Sequence, residues 1–66
     1  MIIKFATKRN SNGHRAYIAL DTDRREYSTN PALWLCREDF AEISKRDLDR
    51  IRDKAKQDGF KEIDAL

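Results

Sequence analysis

Sixty-six residues leave room for one domain, read here as spanning 1–66, and a chain this short buries only about 60% of the surface it exposes when unfolded. Hydrophobic and charged residues each make up 39% of the sequence, and the apolar ones are patterned, which argues against a disordered chain. Fourteen Lys and Arg against twelve Asp and Glu give a formal charge of +2, too mild for a protein that coats nucleic acid by bulk charge.

Any role with nucleic acid must therefore come from how the cations are arranged. Residues 1–31 hold six basic and three acidic side chains and the remainder eight and nine, so the first part is the more positive. The single cysteine, Cys36, permits no internal disulfide and fits a reducing, cytoplasmic setting. The opening MIIKF is too short for the apolar region of a signal peptide, and no run approaches the roughly 18 apolar residues of a membrane span.

Ile2 to Lys8 and Arg15 to Asp21 alternate as strands do. Between them, Asn12-Gly13 suits a two-residue hairpin turn whose central positions both need positive φ. Centring the turn there sets Thr7 opposite Ile18 and Phe5 opposite Leu20. Ile3, Phe5, Ala16, Ile18 and Leu20 then share a core face, and Lys4, Ala6, Lys8, Tyr17 and Ala19 the other. A longer RNSNG loop with a bulge would shift this pairing. Asp21 to Arg25 reads as a second turn, and Glu26 to Thr29 as a short edge strand that Pro31 ends.

Ala32 to Ile43 is ambiguous. Asn30-Pro31 suits a helix start, yet the stretch ends in strand-like residues. We expect a turn of helix or loop around Leu33 to Cys36 and an extended segment from Phe40 to Ile43. A helix over about 45–58 is the best-specified element. Ser44 is placed as its N-cap, Asp47 completes a capping box, and Ile43 and Leu48 form a staple. Gly59 suits the left-handed position after the C-cap, with Phe60 folding back on Ala55. Leu48, Ile51 and Ala55 make a narrow apolar stripe that packs on the sheet. FKEIDAL reads as a last short strand or ordered tail. The expected fold is α+β: a small antiparallel sheet of three to four strands, packed on one face by a single well-capped helix.

Catalysis finds little support in these residues. His14, the sole histidine, lies beside a turn with no carboxylate placed to orient it, and nothing brings a base to Cys36. One Cys and one His are too few for a closed zinc site, and Gly13 and Gly59 stand too far apart for a phosphate loop. We expect no enzyme activity, metal, cofactor or small-molecule substrate.

Arg46, Arg50 and Lys54 recur every four residues along one helix stripe. Beside it, Lys45–Asp49, Asp49–Arg52 and Asp53–Lys56 are spaced to pair, and Asp47 is the obvious neighbour of Arg50. A solvated face of weak ion pairs is the plain reading; a phosphate-contacting stripe is the functional one. Lys45 and Arg46 stand in the first helical turn, where the helix dipole disfavours cations, and packing gives no reason for them. On the sheet's outer face Lys4, Lys8, Arg15 and Tyr17 would gather cations beside an aromatic ring, able to follow a phosphate backbone and stack a base. Polar residues are also what any exposed sheet face carries. Leu33, Trp34 and Leu35 would serve as a protein-interaction or homodimer patch if exposed, or as core if not.

The order of strands then helix resembles the small sheet-plus-helix DNA-binding modules found at the start of some phage and transposon integrases. The likeness is one of architecture over about two-thirds of the chain; no diagnostic motif of that group is present, and FKEIDAL departs from it. It implies DNA read by the sheet. The leading expectation is a non-enzymatic nucleic-acid-binding module using Lys4, Lys8, Arg15, Tyr17, Arg46, Arg50 and Lys54. The alternative is a protein-interaction adaptor using Leu33, Trp34 and Leu35.

Overall fold

The computed structural model describes residues 1–30 and 40–64. In chain order these form β1 (Ile2–Thr7), β2 (Tyr17–Asp21), β3 (Glu26–Ser28), β4 (Ala41–Ile43), α1 (Lys45–Gln57) and β5 (Lys61–Glu62). The class is α+β, as expected. The sheet differs from expectation: it is a five-stranded mixed sheet in the order β4-β1-β2-β3-β5. β1, β2 and β3 pair antiparallel, but β4 lies parallel to β1 and β5 parallel to β3. A parallel neighbour arrives by a crossover rather than a turn. Segments as short as AEI and KE carry no signal of strand direction, so the pattern of residues could not reveal it.

The first hairpin also corrects its expected register. Ile3 pairs with Leu20, Lys4 with Ala19 and Phe5 with Ile18, a slip of two residues. The slip is even, so each residue keeps its face. Its cause is Asn10. The Asn10 N–H donates to the carbonyl of His14 at 2.7 Å, and the Gly13 N–H donates to the carbonyl of Asn10 at 2.9 Å. Among the described residues only Arg25, Gly13 and Gly59 have positive φ, so Asn12 does not take the first central position of a type I′ turn. Instead Ser11 to Gly13 form a three-residue loop with Gly13 at φ 79° as the bulge residue. The Asn10 side-chain oxygen accepts from the N–H groups of Asn12 and His14 and holds the loop shut. Between that loop and the strands, the Thr7 hydroxyl accepts from the Ala16 N–H at 3.0 Å.

The turn from β2 to β3 is built by Asp21, whose carboxylate accepts from the N–H groups of Asp23 and Arg24. Helix α1 begins and ends as its residues dictate. The Ser44 hydroxyl accepts from the Asp47 N–H at 3.1 Å. At the other end the Gly59 N–H donates to Lys56 O and the Phe60 N–H to Ala55 O, with Gly59 at φ 84°. These two bonds are the Schellman pair, and Phe60 supplies its hydrophobic contact by packing on the cluster that holds Ala55.

The core lies between α1 and one face of the sheet. Ile18, Leu20, Tyr27, Leu48 and Ala55 are its buried members, with Phe5, Ala16, Ile43, Ile51 and Phe60 packed around them. The Tyr27 hydroxyl donates to a carboxylate oxygen of Glu62 on the neighbouring β5, 3.2 Å away. The opposite face is not an open platform. Ala6, Ala19 and Ser28 on that face are each 0% exposed.

Candidate nucleic-acid interface

The basic residues expected to act together are divided between two layers. Register sets Lys4 and Tyr17 on the sheet face away from α1, where both are half-buried. The Tyr17 ring meets Phe40 edge-on, centroids 6.5 Å apart and planes at 80°. With the alanines beside it fully buried, this face leaves no broad aromatic platform for stacked bases. Arg46, Arg50 and Lys54 stand on the solvent side of α1, in the other layer. Leu33, Trp34, Leu35 and Cys36 lie outside the described residues.

The helix charges pair only in part as spaced. Lys45 Nζ lies 2.6 Å and Arg52 3.4 Å from the same Asp49 oxygen. The Lys45 hydrogen bond holds the Asp49 carboxyl below its ordinary range. Lys54 lies 3.6 Å from Asp58, and Arg52 reaches toward Asp53 at 4.0 Å. Among the described residues the expected Asp47–Arg50 and Asp53–Lys56 pairs do not form, and Arg46 and Arg50 have no ion-pair partner.

What the fold does bring together is a different set. A cleft of about 920 Å³ opens between the first hairpin loop and the start of α1. Lys8 and Arg15 line it from the hairpin, and Ser44 and Lys45 from the helix. His14 also borders it, and Glu42 and Asp47 add two carboxylates. Three cations thus line the cleft against two carboxylates, and one of the three, Lys45, is already paired with Asp49 at 2.6 Å. Arg15 is half-buried with its guanidinium 5.2 Å from the Phe40 ring centroid, and its Nε is enclosed without a hydrogen-bond partner among the described residues. That distance is within cation–π range of the ring. At the helix end, Ser44 satisfies the Asp47 N–H, while helical geometry leaves those of Lys45 and Arg46 without an intrahelical partner. The positive end of the helix dipole points the same way.

This arrangement can hold an anionic oxygen, and it gives a place to Lys45, one of the two first-turn cations that packing did not explain; Arg46 does not line the cleft. Lys45 belongs to the cleft, although its residue pattern suggested only an ion pair with Asp49. Its placement against the dipole was the available signal. No group of three or more metal-ligating side chains occurs among the described residues, and none of their helices is long and apolar enough to cross a membrane. No protein-family model, curated protein or solved structure matches the chain.

Proposed function

We propose that this domain is a non-enzymatic nucleic-acid-binding module that grips the phosphate backbone at the cleft between the first hairpin and the start of α1. One observation carries the reading: Lys8 and Arg15, from two strands' ends, converge with Lys45 and the open N–H groups of a helix start. Arg15 supplies a rigid fork to one phosphate, Lys8 a flexible point charge to the next, and Arg46 extends the path along the helix. Backbone contacts of this kind position a strand and carry little sequence information. Glu42 and Asp47 hold the affinity down and favour release. Lys4, on the face away from α1, and Arg50 and Lys54, which border another groove, take no part, whereas Tyr17 lines a smaller pocket with Arg15 and Lys45.

The test is fluorescence anisotropy with labelled mixed-sequence oligonucleotides, single- and double-stranded, across a salt series. Three phosphate contacts predict that log K falls against log salt with a slope near −3 on duplex, about 0.9 per contact. Lys8→Ala should bring that slope toward zero by about one unit and leave the thermal midpoint unchanged. No binding at low salt, or a Lys8→Ala slope equal to that of the unaltered protein, contradicts the reading.

A further inference from the structure

A second groove, of about 360 Å³, runs along the later turns of α1. Leu20, Ile51, Ala55 and Phe60 form its apolar floor, and Arg50 and Lys54 stand at its rim. Thr22 and Asp58 close its ends. The Thr22 N–H and hydroxyl both donate to the carbonyl of Met1, a residue that is 75% exposed.

The rim says what kind of partner fits. Arg50 is exposed and has no ion-pair partner among the described residues, while Lys54 shares Asp58 at 3.6 Å. Two cations thus face a single carboxylate. An apolar floor offers nothing to a phosphate backbone, and its one aromatic ring, Phe60, already carries the Arg25 guanidinium 5.6 Å from its centroid. An apolar side chain carried beside carboxylates satisfies both floor and rim.

We infer that this groove docks an acidic, amphipathic peptide segment of a partner protein. A leucine or phenylalanine side chain enters between Ile51 and Phe60, and a neighbouring carboxylate pairs with Arg50. This surface is separate from the hairpin–helix cleft, so it stands or falls independently of nucleic-acid binding.

The test uses the full chain, labelled with nitrogen-15, and two acetylated and amidated pentapeptides: Asp-Asp-Leu-Phe-Asp and its counterpart with lysines in place of the aspartates. The acidic peptide should shift the amides of Leu20, Thr22, Ile51, Ala55 and Phe60. It should bind roughly fivefold more tightly than the lysine peptide, the ratio that a pair of rim ion contacts provides. Arg50→Glu, a change on the exposed surface, should invert that preference. Shifts centred elsewhere, equal binding of the two peptides, or a preference untouched by Arg50→Glu would overturn the inference. So would the same shifts on concentrating the protein alone, which would assign the groove to a second copy of this chain.

Discussion

Arg25 holds a left-handed backbone, φ 57°, which costs a residue with a Cβ about 1 kcal/mol. The fold recovers that cost through the side chain. The guanidinium donates to the carbonyl of Asp58 at the end of α1 and lies 5.6 Å from the Phe60 ring centroid. Its own carbonyl accepts from the Lys61 N–H at 2.9 Å, starting the ladder to β5. Arg25→Ala keeps the strain and loses the clamp, whereas Arg25→Gly loses only the clamp. Urea unfolding should find the alanine variant less stable than the glycine variant by about 1 kcal/mol. Equal stabilities would remove backbone strain from the account. Asn10 plays a comparable part in the first loop, where its side-chain oxygen accepts two N–H groups. Asn10→Ala should cost about 1 kcal/mol, read as a lower urea midpoint at unchanged slope. Neither role was legible beforehand. Asn12-Gly13 is the strong local turn signal, and nothing in the residue pattern sets apart the asparagine two residues earlier that closes the loop. Arg25 looked like one more turn cation because its partners lie at the end of the helix.

At the scale of elements, α1 was the most legible, because its caps depend on residues next to it in the chain. Ser44→Ala removes the acceptor for the Asp47 N–H and should cost about 1 kcal/mol. A much smaller loss in chemical denaturation would mean that water replaces the cap without penalty. Leu48 is 2% exposed in the centre of the core, so Leu48→Ala should cost at least about 2 kcal/mol, enough to leave so small a domain partly unfolded by circular dichroism. The short strands were harder. The residues of β3 suggest an edge strand, where a tyrosine serves as well on the surface; β5 pairs beside it, so β3 is internal and Tyr27 is buried in the core. Its burial, and then the nearby Glu62 carboxylate, hold the phenol above its ordinary value of 10.0. Folding thus favours the neutral phenol. The stability it contributes is complete below pH 10.0 and declines as pH rises through the higher folded value. Urea midpoints should fall on the alkaline side of 10.0 for the unaltered protein and fall less for Tyr27→Phe. Identical alkaline profiles would show that Tyr27 does not govern this transition.

At the scale of the whole molecule, the sheet order separates what the residue pattern seemed to gather. Faces survived the two-residue slip of the first hairpin because side-chain alternation has a period of two. That is why Ile18 and Leu20 were correctly placed in the core while their partners were not. The parallel edges β4 and β5 depend on where the chain travels between elements, which no local pattern records. Once those edges are in place, Lys4 and Tyr17 lie on one layer and Arg46, Arg50 and Lys54 on the other. The resemblance to integrase DNA-binding modules weakens for the same reason: the sheet here has five strands, and its helix-free face is closed at Ala6, Ala19 and Ser28. Lys8, Arg15 and Lys45 are 30 or more positions apart between hairpin and helix, yet they meet in one cleft.

That convergence is best examined by titrating the nitrogen-15-labelled protein with a short mixed-sequence oligonucleotide at low salt and following amide shifts. If the cleft grips a phosphate backbone, the changes cluster at Lys8, Arg15 and Ser44 to Asp47 and fade together as salt is added. Spectra that stay still, or changes confined to the groove of Leu20, Ile51 and Phe60, would contradict it.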